Sequence, residues 1–400
     1  MAYLMDGSKW LWFIAIALFT MSAIVVFSAN AQRAYHASGY YLADYERHVS
    51  FMLAGGIVML IAARFPRFWV WRKSWYLFGP VTVGLLVYLL VYGIVYGKTG
   101  GAVRDMRIGP VNVQPIEIAK FVIILFLSDR LTLYQEDSRM SWRRYGLWWA
   151  AILIPVSLIF IQNQSTAIIM LIVSFLMMFM GRVPAKYLLG TAGIGLAVVA
   201  LVLPLVMSGA LDKFGRLGTM RERIEDAVAE MADSDEREYA FTDDNRQGTE
   251  CRVAVANGAV PCGPGNSLRR EKMQAPQHDC VFAVAVEEWG WLAVGTLIGL
   301  YMFLLVAVGR VVYKCDRPYP MLLATGLAIL IVLQAFVNMC VGVNLFITGQ
   351  PLPLVSVGGW DFLMSSLYFG ICINISRYVE HGASVPATAG ENTPETRKEA

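Results

Sequence analysis

The sequence predicts an all-α integral membrane protein of about ten transmembrane helices, with both ends on the cytoplasmic side and one large extracytoplasmic loop between spans 7 and 8. Three observations carry this expectation. The 400-residue chain is 57% hydrophobic and only 16% charged, with a mean hydropathy of +0.53, which is more apolar surface than one water-soluble core hides. Runs long enough to cross a hydrocarbon layer of about 30 Å recur along it. Lys and Arg are distributed asymmetrically between alternate loops.

In chain order the apolar runs place spans near 10–29, 48–64, 75–97, 113–128, 146–162, 165–181, 187–208, 281–309, 319–347 and 352–376. With the N-terminus inside, seventeen Lys and Arg fall at the cytoplasmic rims, among them Arg64, Arg72, Arg130, Arg144, Arg310 and Arg377. Five (Arg33, Arg47, Lys98, Arg104 and Arg107) fall in the short outer loops, and the loop from about 209 to 280 is long enough for its basic residues to constrain its crossing little. The first span is too long, and lacks the small-residue cleavage site, for a removable signal peptide. We expect residues 1–380 to form one membrane domain and 381–400, rich in Ala, Thr, Pro and Glu, a disordered cytoplasmic tail.

A net charge of +3, spread along the rims, makes no nucleic-acid footprint, so DNA and RNA are excluded as ligands. Cys251, Cys262 and Cys280 share the outer loop. Three thiols cannot all pair within the chain and no CxxC spacing suggests metal, so unpaired side chains are the simpler reading and a single outer disulfide the alternative. The mixed charges of 212–250 read as a solvated surface helix to about residue 231, followed by loop.

Polar groups at membrane depth are costly, so each needs a reason. Four places stand out. The first is the segment Gly101 to Pro110 with Arg104, leading into Gln114-Pro115-Ile116-Glu117-Ile118-Ala119-Lys120. Pro115 suits a first helical turn, and Glu117 and Lys120 share a helix face, as a structural ion pair or as part of a substrate-facing pocket. The second is Gln162-Asn163-Gln164-Ser165-Thr166-Ala167, a short break in which Ser165 or Thr166 is expected to cap the next helix. The third is Asp279 to Gly290, with an aspartate at the outer mouth of a span and Glu287-Glu288 about two turns deeper. Asp279 is either an N-cap or a carboxylate whose half-dry surroundings suit a general base. The fourth is Thr348 to Asp361, a Pro- and Gly-rich approach to the last span, containing Ser356; irregular backbone there requires protein or water around it.

Taken together, the Gly101 to Lys120 segment, the Gly263-Pro264-Gly265-Asn266-Ser267 turn, the Asp279 to Gly290 run, the Gly349 to Gly359 run and Asn374-Ile375-Ser376-Arg377 resemble the SEDS family (shape, elongation, division and sporulation: FtsW, RodA and SpoVE) across nearly the whole membrane part. The turn, the hairpin and the Gly349-Gln350 approach look nearer to the division-type members of Bacteroidetes. The resemblance implies a peptidoglycan glycosyltransferase that polymerises lipid II during cell division. It further implies a class B penicillin-binding protein transpeptidase and divisome membrane proteins as partners, and the bacterial cytoplasmic membrane as location.

Asp279 matches the family's catalytic aspartate, expected to take the proton from the acceptor sugar's 4-hydroxyl. Arg104, Glu117, Lys120, Arg269, Arg270 and Ser356 are the candidate substrate-binding residues, the cations to meet the departing diphosphate. No motif supplies a ligand cage, so no metal-binding residue is assigned, although a divalent cation such as Mg or Mn at the diphosphate is compatible with the chemistry. The chain departs from the family pattern at Asp105, Trp360 and Cys280. Two other functions compete. A lipid II flippase needs essential charges near the midplane, whereas polymerisation needs its base at the outer mouth; a non-catalytic division scaffold needs neither.

Overall fold

The computed structural model describes residues 6–36, 43–64, 68–95, 106–108, 111–137, 139–208, 246–273, 276–345 and 349–382. Arg104, Asp105, the expected surface helix near 212–231 and the C-terminal tail lie outside these. The described helices are α1 Lys9–His36, α2 Ala43–Arg64, α3 Phe68–Val95, α4 Pro115–Asp137, α5 Trp142–Gln162, α6 Gln164–Met180, α7 Ala185–Met207, α8 Arg246–Asn257, α9 Val281–Trp289, α10 Trp291–Tyr313, α11 Pro318–Gly342 and α12 Trp360–Gly382. Between α3 and α4 a two-stranded antiparallel ribbon, β1 Met106–Ile108 and β2 Val111–Val113, pairs Met106 with Val113 and Ile108 with Val111. Its strands are too short for apolar alternation to reveal.

Eight of the described helices are long and apolar enough to cross a membrane by themselves: α1, α2, α3, α5, α7, α10, α11 and α12. Two more described helices, α6 and α4, lie along runs expected to span. α6 has 17 residues, about 26 Å of helix. α4 fails a hydropathy test because it carries Glu117, Lys120, Asp129, Arg130, Glu136 and Asp137, yet most of its residues are buried against α3, α5, α6, α11 and α12. Charges inside a bundle need protein partners rather than lipid, and α4 is the pillar that has them. α11 is likewise central, 67% buried over its apolar window, whereas α7 is 6% buried and presents nearly all its apolar surface outward.

Of the span boundaries that differ from expectation, three bear on the site. The run 281–309 is not one helix. Gly290 breaks it at φ 60°, ψ −139°, its amide closing α9 on Val286 O (2.7 Å), so α9 is a short helix at the mouth and α10 the span. A glycine adopts that backbone without a Cβ penalty, and a Cβ there would meet Pro261 Cγ at 2.6 Å. The run 319–347 ends its helix at Gly342. The last helix begins at Trp360, and residues 349–359 form a buried, non-helical turn instead of its first part.

Sidedness follows from contacts at the helix ends. Asp6 pairs with Arg377 (3.3 Å), Ser8 N donates to Ser376 Oγ (2.9 Å), and Arg377 also donates to Ala63 O (2.9 Å). The start of α1 and the ends of α2 and α12 therefore share one end of the bundle. Alternating helix direction sends the end of α1, the start of α2, the start of α4 and the α5–α6 turn to the opposite end, with the segments around 279 and 350. α2 and α12 pack closely because small residues allow it: a Cβ on Gly370 would lie 2.6 Å from Met59 O, and one on Gly55 would lie 2.6 Å from Ser366 Oγ.

Candidate active site

Three of the four polar places are joined through two buried amide side chains, Asn338 and Gln350. Asn338, fully buried on α11, donates through Nδ2 to Asp279 O (3.1 Å) and to Gln350 O (2.7 Å). Gln350 in turn donates through Nε2 to Thr166 Oγ1 (2.6 Å) and Ser165 Oγ (3.3 Å). Val357 N donates to Gln277 O (3.0 Å). The α5–α6 turn, the segment before α9 and the 349–359 turn are thus tied together, and Asp279 stands half-buried among them. Buried amides hold backbone this way because an unmade hydrogen bond there is expensive.

Asp279 is not the N-cap of α9. Cys280 holds that position, without a side-chain cap bond, which leaves Asp279 one residue outside the helix. The cap of α6 is likewise not Ser165 or Thr166. Asn163 Oδ1 accepts from Thr166 N (3.2 Å) and from Ser165 Oγ (2.8 Å), and Thr166 and Ser165 are thereby placed to receive Gln350.

The remaining place, the Glu117 and Lys120 segment, borders the same region. Lys120 Nζ lies 2.6 Å from Glu117 Oε2, with Lys120 only 1% exposed, so the two residues form the ion pair that their spacing allows. Asp361, in the first turn of α12, acts electrostatically on both. Asp361 is four residues beyond Val357, so the carboxylate cluster and the Asp279 segment are joined by at most about 14 Å of chain.

Glu287 and Glu288 do another job. Each is 1% exposed. Glu287 accepts from Asn257 Nδ2 (3.0 Å), Arg269 N (3.3 Å) and the Ser267 hydroxyl, while its carbonyl and that of Glu288 receive the amides of Cys262 (3.2 Å) and Gly263 (3.1 Å). Glu288 takes the Ser28 hydroxyl and faces Arg270 NH1 at 3.8 Å. This pair of carboxylates folds the Gly263 to Ser267 turn onto α9, with Gly263 and Gly265 at positive φ. The same carboxylates and burial raise the Cys262 thiol above its ordinary pKa, burial being the larger cause.

The expected cations are therefore less available than their charges suggest. Arg270 is 8% exposed and spends its guanidinium on Ser28 O (2.5 Å) and Gly265 O (2.8 Å), because the turn seats it against α1. Arg269 pairs with Glu250 (3.3 Å) but keeps 29% of its side chain exposed. Ser356 is buried and donates to Leu352 O (3.1 Å), closing the turn. Among the described residues no three His, Cys, Asp or Glu side chains converge as a metal site, and no step is routed through a cation.

Cys251 and Cys280 form a disulfide that ties α8 to the residue after Asp279, whereas Cys262 is free. The reading of unpaired outer thiols is corrected by a fold that lays α8 along α9, which spacing alone does not reveal.

A profile of the FtsW/RodA/SpoVE family, described as cell cycle proteins, matches residues 8–381. A probable peptidoglycan glycosyltransferase FtsW of Trichlorobacter lovleyi is 27% identical over 369 residues, covering 91% of each chain. Another, of Halomonas elongata, is 28% identical over 405 residues, covering 98% of this chain and 95% of the relative. Among solved structures, a chain from a peptidoglycan synthase complex that coordinates polymerization and crosslinking superposes with a TM-score of 0.70 at 22% identity, covering 93% of this chain and 98% of that one. The rod shape determining protein RodA of Thermus thermophilus gives 0.63 at 21% identity, covering 93% and 97%. Eight described helices apolar and long enough to span, the same fold and a match over nearly the whole length agree: the chain belongs to the FtsW/RodA/SpoVE family and is a multi-pass protein of the bacterial inner membrane.

Proposed function

We propose that the protein is a peptidoglycan glycosyltransferase that polymerises lipid II during cell division, with Asp279 as general base. The observation that carries this reading is the placement of Asp279: a half-exposed carboxylate at the end of the bundle opposite the start of α1 and the end of α12, on a segment held by Asn338 and Val357. A base must sit within hydrogen-bond reach of the proton it takes, and a rigid mounting is what keeps it there. In the reaction the acceptor sugar's 4-hydroxyl oxygen bonds to the donor's anomeric carbon, its proton passes to Asp279, and the bond from that carbon to the diphosphate breaks with inversion. Undecaprenyl diphosphate leaves with the electron pair.

The leaving diphosphate needs positive charge. Arg269, partly exposed beside the Gly263 to Ser267 turn, is the described cation we assign to it, with Arg104 a candidate from the sequence alone; Lys120 and Arg270 serve instead to hold Glu117 and the turn. A class B penicillin-binding protein is the partner we propose, since one solved relative belongs to a peptidoglycan synthase complex described as coordinating polymerization and crosslinking.

The test supplies purified protein and candidate partner with lipid II and compares wild type with Asp279→Ala and Asp279→Asn for glycan strands on a gel. Strands from wild type alone support the assignment. Equal polymer from the variants removes Asp279 from the chemistry, and none from any of them returns the protein to a scaffold or transport role.

A further inference from the structure

A histidine that plays no part in the proposed chemistry is wired to the segment that does. His48, on α2, and Ser22, on α1, are both fully buried. Gly358 N donates to His48 Nδ1 at 3.0 Å. A neutral imidazole carries one proton, so a ring whose Nδ1 accepts has its hydrogen on Nε2. Nε2 lies 3.1 Å from Ser22 Oγ, and the Ser22 hydroxyl gives its own hydrogen to Val355 O (2.9 Å). Each donor in this chain has one acceptor, and the bond directions are fixed by the single backbone amide that begins it.

The chain grips the 349–359 turn on both sides of Val357, the residue whose amide holds Gln277 O, two positions before Asp279. The turn needs gripping. Leu354 sits at φ 60°, a left-handed conformation that a leucine keeps only when its surroundings over-determine it. Tyr301 adds a third hold, donating to Pro353 O at 2.6 Å. The Phe362 ring packs edge-on against the His48 ring, their centroids 5.9 Å apart.

We propose that His48 is a positioning residue: a neutral, Nε2-protonated latch that fastens the 349–359 turn to α1 and α2 and thereby sets the place of Asp279. This rests on the glycosyltransferase reading for its consequence, though not for its geometry. Asn at this position keeps an oxygen where Nδ1 stands and can still accept from Gly358 N; Leu fills similar space and accepts nothing.

Two measurements test it. In lipid II polymerisation, His48→Leu is expected to lower kcat about tenfold or more with KM little changed, because a displaced base slows the step without weakening substrate binding, and His48→Asn is expected to recover most of the loss. Nitrogen-15 NMR of histidine-labelled wild type should show Nε2 protonated and Nδ1 as a bare acceptor across neutral pH. A His48→Leu enzyme within twofold of wild type, or an Nδ1-protonated ring, overturns the proposal. Should His48→Leu not fold, His48→Asn against wild type and the NMR spectrum still decide. Wild type that makes no polymer would sink the glycosyltransferase reading alone, leaving the latch to stand or fall on its tautomer.

Discussion

The side-chain amide of Asn338 donates to two backbone carbonyls that are remote in sequence, those of Asp279 and Gln350, and so holds the candidate base against the turn before the last helix. Replacing Asn338 by Leu keeps the volume and removes both donors. Two buried carbonyls then lose their partner, which costs about 1–3 kcal/mol each. Polymerisation should fall about 10- to 100-fold in kcat, the scale expected when a reacting group moves by roughly 1 Å. Steady-state rates beside thermal unfolding of the purified variant separate the two effects. Unchanged kcat in a destabilised protein would show that the mouth does not depend on this amide.

Lys120 and Glu117 form an ion pair with Lys120 nearly sealed from solvent. Lys120→Met leaves Glu117 with an uncompensated charge, and a broken buried pair of this kind costs about 3–5 kcal/mol. Adding Glu117→Gln should return a good part of that, since neither charge then remains. Thermal unfolding in detergent across the four members of this cycle measures the coupling. Additive losses would mean that the two residues act independently.

The Cys251–Cys280 disulfide closes a loop of 29 residues beside Asp279, packed among Ala29, Ala254, Met273 and Val284. A loop of that length is expected to contribute about 3–4 kcal/mol through the unfolded chain. Cys251→Ser should therefore lower the melting temperature of protein purified without reductant, and added reductant should lower that of wild type toward the variant. Coincident melting curves for wild type, variant and reduced protein would count against a bond that matters to the fold.

Gly290 separates α9 from α10 at a φ that side chains rarely adopt, with Pro261 and Gly258 O where a Cβ would stand. Gly290→Ala should cost about 1–3 kcal/mol in backbone strain alone. It should lower the fraction of protein recovered as a single peak in size-exclusion chromatography. Full recovery would imply that the α9–α10 break tolerates a side chain.

Cys262, free and beside Glu287 and Glu288, has its thiol pKa raised. A raised pKa leaves less thiolate at a given pH, and thiolate is the reactive form. Alkylation of Cys262 at pH 8 should be slower than that of an unperturbed cysteine thiol and should keep accelerating as pH rises further. Mass spectrometry of timed iodoacetamide reactions reads this directly. A rate equal to that of a free thiol would remove the pKa rise that burial, with the two glutamates, gives this thiol.

Much of the architecture was legible in the sequence because lipid makes a simple demand on composition. Ten apolar runs stood out, including α4, whose charges hide it from a hydropathy test, because the Gln114-Pro115 start and the Glu117 and Lys120 spacing marked a helix with partners. The four polar places were legible too, since each interrupts an apolar run. What escaped was their mutual arrangement. His48, Ser22 and Asn338 are lone polar residues inside such runs, and the cost of burying them was a signal not followed. Asp361 was read as part of a turn and not as a third charge beside Glu117 and Lys120.

By itself, the order of residues determined the membrane class, the all-helical fold and the shared helix face of Glu117 and Lys120, because burial of apolar surface and neighbouring positions on one helix are local properties. Tertiary structure alone decided that Cys251 meets Cys280, that Arg270 faces inward onto Ser28, and that Asn338 and His48 grip the turn at 349–359. Those are hydrogen bonds and covalent links between segments far apart in the chain, and their partners exist only after the helices have packed.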